Sequence, residues 1–174
     1  MKLSERKELS EAKRLYHRAF PKKERLPWWV LRLMTLHKDV KLNAYYCDED
    51  FVGFTHTTVA KDILFIMFFA VNESLRGKGH GSAILEYLKI NNQDKTIILN
   101  VEPLDDHAEN AQERVLRMRF YEKNGFYDTE YHIAEVGGVF RVLSTEPVLD
   151  TNAYLRVFRK LSLGFWRPKI KKVT

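Results

Sequence analysis

Three glycines at alternate positions, in the stretch RGKGHG (76–81), form the segment of this sequence with the clearest chemical meaning. A backbone without Cβ atoms lets successive N–H groups converge on one anion, and a helix that begins just after it adds the positive end of its dipole. Arg76 and Lys78 place two positive charges in the same segment. These residue types predict a loop that binds a pyrophosphate. A glycine-rich turn that only redirects the chain is the competing interpretation.

Two other phosphate-binding motifs do not fit the same residues. The G-x-x-x-x-G-K-[ST] motif occurs nowhere in the chain. The dinucleotide motif G-x-G-x-x-G would use Gly77 and Gly79, but its third glycine position holds Ser82. That motif also follows its strand directly, whereas residues 72–76 separate these glycines from the preceding apolar run. The remaining interpretation is anion binding by main-chain amides.

Several segments, in the same order along the chain, resemble the GNAT superfamily of N-acetyltransferases. Arg76, Gly79 and Gly81 match the fixed positions of its acyl-CoA-binding signature, [QR]-x-x-G-x-[GA]. The apolar run FFAV precedes this signature, LNVEP (99–103) follows it, and FYEKNGF (120–126) resembles the family's F-Y-x-x-x-G-F motif. The resemblance covers roughly residues 63–126. AFPKKERLP (19–27) also resembles the loop between the first two helices of many bacterial members.

The resemblance implies an enzyme that transfers the acetyl group of acetyl-CoA to an amine by direct attack, without a covalent enzyme intermediate. A main-chain N–H near Val71 would stabilise the oxyanion, and the main chain of residues 69–71 would pair with the pantetheine arm like an added strand. The residues implied in cofactor binding are Phe69, Ala70, Val71, Arg76, Gly77, Lys78, Gly79, His80, Gly81 and Ser82. The expected acceptor is a small molecule or a peptide amine. The alternatives are a macromolecular acceptor, either aminoacyl-tRNA or a protein, and a CoA-binding module without turnover.

Tyr121, in the FYEKNGF segment, is the candidate general acid. Attack on the thioester expels a thiolate, and a phenol with a pKa of about 10 is protonated at neutral pH yet able to donate to that thiolate. The competing interpretation is a tyrosine, one of eight in the chain, that packs the end of a helix.

Two glutamates are candidate general bases. An amine with the pKa of lysine, about 10.4, must lose a proton before it attacks, which costs about 4.6 kcal/mol at pH 7. Glu102, near the end of LNVE, and Glu24, in FPKKER, could accept that proton directly or through a water, but each could also be a surface acid. His56 and His132 rank below them, because a histidine in a strand is more often structural.

One position departs from the family's pattern. Many members carry an asparagine seven residues before the motif tyrosine, where its side chain bonds the pantetheine arm. Arg114 occupies that position here, so this contact is left open.

The hydrophobic periods predict the elements that hold these residues. Apolar residues spaced by three or four indicate helices, and shorter periods with turn residues between them indicate strands. The helical candidates are 9–19, 28–38, the segment after the glycines, 106–124 and 151–162; the strand candidates are 41–47, 51–60, 62–71, 96–101, 126–136 and 139–144. This order predicts an α+β fold with a mixed, mainly antiparallel sheet of about six to seven strands and helices on both faces.

The bulk properties limit the class of protein. A length of 174 residues suits one domain, 1–174, with a basic tail from about 165. Cys47 is the single cysteine, which excludes an internal disulfide, and no metal is expected. No apolar run could span a bilayer and no leader is recognised, so no membrane partner and a cytoplasmic location are expected. The net charge of +6 favours anionic partners; the tail RPKIKKV (167–173) could contact nucleic acid or simply be solvated. A homodimer is also left open.

Overall fold

Eight strands and five helices make up the part of the chain that this computed structural model describes, residues 2–6, 9–135, 137–161 and 168–173. The strands are β1 (Leu3–Arg6), β2 (Val40–Cys47), β3 (Asp50–Ala60), β4 (Ile63–Val71), β5 (Thr96–Val101), β6 (Tyr127–Glu135), β7 (Gly138–Ser144) and β8 (Lys169–Lys172). The helices are α1 (Ser10–Ala19), α2 (Trp28–Met34), α3 (His80–Ile90), α4 (Ala111–Lys123) and α5 (Thr151–Leu161). The strand order is β1-β2-β3-β4-β5-β7-β6-β8.

The predicted fold class is confirmed. The pairs β1–β2, β2–β3, β5–β7, β6–β7 and β6–β8 are all antiparallel, and helices alternate with the strands along the chain. The sheet has eight strands rather than the six to seven expected. The two additional strands, β1 and β8, have four residues each and mostly polar, exposed side chains. Such short strands lack the apolar alternation that signals a strand in a sequence.

Contacts divide the chain into two compact units. The first unit comprises Met1–Val59 and Ile66–Gln93, and the second comprises Ala60–Phe65 and Asp94–Thr174. Each unit has its own buried side chains, described in turn below. The prediction of a single domain over 1–174 stays a prediction.

An aromatic cluster forms the core of the first unit. Tyr16, on the buried face of α1, is fully buried, and its ring lies 5.0 Å from that of Phe68 and 6.1 Å from that of Phe54. Phe20 and Trp28 contact the same tyrosine. Aromatic pairs at these separations add to the free energy gained from burial alone. The cluster therefore joins α1, α2 and β3 to the later part of β4.

The core of the second unit lies around α5. Tyr154 and Phe158, one helical turn apart, are buried and their rings lie 5.2 Å from each other. Both contact Phe65, with ring separations of 5.9 Å for Tyr154 and 5.4 Å for Phe158. The amphipathic period of 151–162 therefore predicted this buried face correctly.

Two helices are shorter than their sequence patterns indicate. The predicted helix 28–38 ends at Met34, because the following amides of Leu36 and His37 form three-residue turns rather than α-helical bonds. The predicted helix 106–124 begins at Ala111. Before α4, the Asp105 carboxylate accepts a hydrogen bond from the His107 amide at 3.0 Å. The His107 amide thus bonds to a side chain instead of to the backbone carbonyl that a helix would supply.

Part of the basic tail has regular structure. Residues 169–172 pair with β6 at the edge of the sheet, and Lys172 lies 3.4 Å from the carboxylate of Glu130. Lysines on an edge strand discourage pairing with other chains. Residues 165–167 and 174 of the predicted tail lie outside the described residues. Among the helices that the structure describes, none has the length and apolar character to cross a membrane.

Candidate functional site

Two left-handed glycines shape the segment before α3, in the first unit. Gly77 has φ of 75° and Gly79 has φ of 85°, a backbone conformation that costs other residues free energy. Gly79 is the N-cap of α3, and its carbonyl accepts the Ala83 amide at 3.0 Å. The amides of residues 80–82, in the first helical turn, therefore have no intrahelical acceptor. They are available to bind an anion, as the sequence predicts.

The charge around these amides is positive. Arg76 and Lys78 are exposed, no acidic residue lies in the first turn of α3, and no side chain caps its N-terminus. A Cβ atom built on Gly77 or Gly79 would meet no atom within 4 Å, so both glycines face open space. Gly81 lies inside the first turn of α3 with an ordinary helical backbone, so only two of the three glycines are left-handed.

Both ends of this segment are anchored. The Asn72 amide donates to the carbonyl of Val52 at 2.7 Å, and its side chain donates to the carbonyl of Phe51 at 3.1 Å. On the other side, α3 buries Ile84 and Leu85 in the first unit. The segment is therefore held by β3 before it and by the apolar face of α3 after it.

Gly53 sets the position of the strand that should pair with the pantetheine arm. A Cβ atom on Gly53, in β3, would lie 2.3 Å from the carbonyl oxygen of Ala70 in β4, closer than any real contact. Only glycine permits this approach. Ala70 is buried, while Phe69 and Val71 on either side are partly exposed. The sequence predicts a binding role for 69–71, which stays a prediction. It gives no signal for Gly53, because the role of Gly53 depends on the pairing of two strands.

Glu24 belongs to the first unit as well. It ends a short 3-10 turn, Lys22–Glu24, and is partly exposed. The Tyr16 hydroxyl donates to the Leu26 carbonyl at 2.9 Å, and the Arg25 guanidinium donates to the His17 carbonyl at 3.0 Å. These bonds pin the connection between α1 and α2. The predicted role of Glu24 as a base stays a prediction.

Tyr121 lies in the second unit, near the end of α4. It is 7% exposed and its ring lies against Phe120 and Phe126, at 5.2 and 5.6 Å. Within the described residues its hydroxyl has no hydrogen-bond partner. Burial raises the pKa of Tyr121 to about 12, and the nearby Arg117 opposes the rise. Its phenol is therefore protonated at neutral pH.

The Glu102 carboxylate is held by hydrogen bonds to residues of α4 and to the N-cap of that helix. Its two carboxylate oxygens accept hydrogen bonds from Arg114 and Arg117, each at 3.0 Å, and from Asn110, also at 3.0 Å. The Arg114 guanidinium also donates to the Pro103 carbonyl and to Asn110. This cluster fastens the end of β5 to the start of α4. Arg114, at the family's asparagine position, is thus engaged with its own unit.

A buried polar chain links three elements of the second unit and was not anticipated from the sequence. The Tyr154 hydroxyl of α5 donates to the Asn100 side-chain oxygen at 2.7 Å, and the Asn100 amide donates to the Glu135 carboxylate at the end of β6. Burial raises the pKa of Glu135 to about 7, against 4.5 for an ordinary glutamate, and the bond from Asn100 opposes that rise. Tyr154 is fully buried, whereas Asn100 and Glu135 are partly exposed.

The two histidines considered in the sequence differ in environment. His56, in β3, is fully buried, and burial lowers its pKa to about 4, so it is neutral at physiological pH. His132, in β6, is partly exposed, and burial lowers its pKa. Over the described ranges, no three His, Cys, Asp or Glu side chains cluster closely enough to hold a metal ion.

The structure groups the predicted residues by unit. The segments 69–71 and 76–82 lie in the first unit together with Glu24, whereas Glu102 and Tyr121 lie in the second unit.

Comparison with known proteins shows the family. The profile described as the Acetyltransferase (GNAT) domain matches residues 40–128. The Bacillus subtilis (strain 168) protein YjbC, a provisionally named acetyltransferase, is 29% identical over 106 residues, which cover 61% of this chain and 45% of that protein. The chain thus spans less than half the length of this curated relative.

Solved structures show the same fold. A provisionally named GNAT-family acetyltransferase from Bacteroides thetaiotaomicron has a TM-score of 0.73 at 19% identity, covering 95% of this chain and 100% of its own. An aminoglycoside 6'-N-acetyltransferase, solved with coenzyme A, has a TM-score of 0.63 at 17% identity; the match covers 86% of this chain and 100% of that protein. Acetyl-CoA is the cosubstrate of the family. The resemblance in sequence, the fold and the profile match agree: this chain belongs to the GNAT acetyltransferase family.

Proposed function

We propose that this protein is an acetyl-CoA-dependent N-acetyltransferase that acetylates a primary amine of a small molecule or a peptide by direct attack. The observation that carries the proposal is the start of α3, where two left-handed glycines leave main-chain amides without acceptors beside Arg76 and Lys78. This segment lies inside the part of the chain that matches the GNAT domain.

The residues of the first unit fit a diphosphate. Amides at a helix N-terminus and two cations complement a doubly charged group, and the open space at Gly77 and Gly79 admits it without a steric clash. We assign the pyrophosphate to residues 76–82 and the pantetheine arm to the main chain of Phe69, Ala70 and Val71. The fixed position of Ala70 against Gly53 supports this second assignment, since it holds the strand in one place.

Tyr121 is assigned the donor role toward the sulfur. Its pKa of about 12 lies about 3.5 units above that of a typical thiol, so complete proton transfer to a thiolate is uphill by about 5 kcal/mol. A hydrogen bond to the sulfur, which strengthens as negative charge develops there, is therefore its principal contribution. The absence of a partner for its hydroxyl within the described residues supports this role.

The contacts of Glu102 support a structural role for that carboxylate. Two arginines and an asparagine already bond it, and taking a proton would weaken both ion pairs. Glu24 lies at the end of the 3-10 turn Lys22–Glu24 and is partly exposed. The substitutions Glu24→Gln and Glu102→Gln separate these candidates, with Glu113→Gln as a control, since Glu113 is exposed on α4. Loss of turnover with unchanged affinity for acetyl-CoA identifies a base, whereas loss of stability identifies a structural group.

Release of CoA thiol from acetyl-CoA tests the proposal directly. The acceptors are kanamycin, spermidine, L-lysine and a hexapeptide with a free N-terminal alanine. We expect acceptor-dependent thiol release with at least one of these amines and acetylated product by mass spectrometry. No release above hydrolysis with any of them, at millimolar acceptor, would count against the proposed activity.

The variant Tyr121→Phe distinguishes an enzyme from a CoA-binding module. We expect it to lose at least tenfold in kcat while it keeps its affinity for acetyl-CoA, because the ring that packs against Phe120 and Phe126 is retained. Tyr127→Phe is the matched control, since Tyr127 is 52% exposed. Equal kcat for both variants would remove Tyr121 from the mechanism.

No particular observation favours a nucleic-acid acceptor. The lysines of 169–172 belong to a paired edge strand, where their charge has a structural explanation.

A further inference from the structure

Glu135 combines partial burial with the absence of a cationic partner. Its carboxylate accepts a hydrogen bond from Asn100, and no lysine, arginine or histidine among the described residues pairs with it. Natural proteins rarely bury a carboxylate without a cation or a set of donors. The other end of the same chain is the fully buried Tyr154. A group held in this way commonly has a function that requires its proton affinity.

The position of this carboxylate is informative. Asn100 lies on β5, two residues before Glu102, which the sequence predicts as a candidate base. The carboxylate of Glu102 is occupied by Arg114 and Arg117. Through Asn100, the structure brings a second carboxylate to the same strand from a residue 35 positions further along the chain. This second carboxylate is partly exposed and bonded to a neutral amide only.

The groups that contact or pair with Glu135 come from β5, α5 and β7, whereas β8 pairs with the neighbouring Ala134. On β5 it meets the uncharged Asn100, on α5 the hydroxyl of Tyr154 acts at longer range, and on β7 its pairing partner is Gly138. On β8, Lys169 lies opposite the neighbouring Ala134 and is exposed. Tyr154 stays protonated, since burial raises its pKa well above the ordinary value. Glu135 is thus the group in this set that titrates near neutral pH.

We propose that Glu135 binds the ammonium group of the acceptor and accepts its proton, as the general base of the acetyl transfer. This inference rests on the proposed function. The ammonium gives one proton to the Glu135 carboxylate, which passes it to water. The amine nitrogen then forms a bond to the thioester carbonyl carbon, the carbon–sulfur bond breaks, and the sulfur leaves with the electron pair. The second proton lost by the nitrogen balances the proton that the sulfur gains, so the products are an amide, CoA thiol and one released proton.

The environment of Glu135 favours proton acceptance from an ammonium group. A carboxylate with a pKa of about 7 accepts a proton from a given ammonium about 300-fold more favourably than one at 4.5. At pH 8 the group is nevertheless mostly ionised and able to act.

The test is the pH profile of kcat/KM, measured by thiol release with the most active of the four panel amines. The kcat/KM of the wild-type protein should rise with pH, with a midpoint near pH 7. Glu135→Gln should lose about 100-fold in kcat/KM at pH 8 and lose this rise, while its affinity for acetyl-CoA stays unchanged. Glu130→Gln, on the same strand and 64% exposed, is the control and should behave like the wild type.

A second variant separates a base from a structural group. The Asn100 amide stabilises the ionised carboxylate, so Asn100→Ala should shift the midpoint to higher pH. A merely structural role would lower activity at all pH values without moving the midpoint. Unchanged kcat/KM in Glu135→Gln, or an unchanged profile in both variants, overturns this inference while the wild-type activity stands. A wild-type protein that releases no thiol with any panel amine overturns the proposed function and this inference together.

Discussion

Replacing Glu135 with glutamine should make the stability of the protein less dependent on pH. The neutral amide resembles the protonated carboxyl in shape and can still bond Asn100, but it never has to carry a charge in a partly buried site. This prediction depends only on the environment of the side chain and holds whatever the enzyme acetylates.

The sign and the size of this stability difference follow from the pKa of Glu135. Its pKa in the folded protein is about 7, above the ordinary 4.5, so the fold favours the protonated form. The corresponding contribution to stability is fully present below pH 4.5 and is lost as the pH rises through 7. A difference of about 2.5 units corresponds to about 3 kcal/mol, an upper value because the side chain is partly exposed. At pH 8, Glu135→Gln should therefore be up to about 3 kcal/mol more stable than the wild type.

Urea unfolding at pH 5 and pH 8 measures this effect. With a typical slope of about 2 kcal/mol per molar urea, the midpoint of the variant at pH 8 should lie about 1 to 1.5 M above that of the wild type. At pH 5 most of the difference should be gone, so the two midpoints should lie within about 0.5 M of each other. Glu130→Gln should follow the wild type at both pH values. A Glu135→Gln protein that is equally or less stable at pH 8 would refute the argument that this carboxylate is desolvated.

Three further substitutions test the remaining structural arguments. Gly79→Ala should weaken acetyl-CoA binding about tenfold in calorimetry, because a left-handed backbone costs alanine about 1–2 kcal/mol. The control Gly138→Ala, also at a residue with positive φ, should leave this affinity unchanged. Gly53→Ala should lower the free energy of unfolding by about 1–3 kcal/mol and weaken acetyl-CoA binding, because the new Cβ would displace Ala70. Unchanged stability in urea and unchanged affinity would show that β4 can shift without a loss of free energy. Glu102→Ala should lower the free energy of unfolding by about 2–4 kcal/mol, since two arginines lose their partner; a loss below 0.5 kcal/mol would show that the cluster is dispensable.

Features that depend on local sequence were predictable. Alternating glycines indicated a flexible backbone before a helix, and Gly77 and Gly79 are left-handed directly before α3. The bounds of β5 agree with the prediction, since TIILNV is an apolar run between turn residues. The resemblance to the GNAT family is confirmed by the profile match to residues 40–128.

Features that depend on strand register were not predictable. Gly53 matters because of Ala70, 17 residues later, and the role of Glu135 depends on Asn100, 35 residues earlier. Nothing in the stretch YHIAE distinguishes Glu135 from an exposed glutamate. The same limit applies to Glu102, whose place on the strand predicts a base: its bonds to Arg114 and Arg117 appear only once α4 packs beside it, and its role as a base stays a prediction.

The central claim, that main-chain amides of residues 76–82 hold the pyrophosphate of acetyl-CoA, is tested most directly by isothermal titration. Acetyl-CoA and acetyl-pantetheine, which lacks the diphosphate, are titrated into the wild type and into Arg76→Ala, with Arg18→Ala on the exposed face of α1 as the control. The account predicts micromolar binding of acetyl-CoA, at least 100-fold weaker binding of acetyl-pantetheine, and a loss in Arg76→Ala that affects acetyl-CoA only. Equal affinity for the two ligands, or no binding of acetyl-CoA at high micromolar concentration, would contradict it.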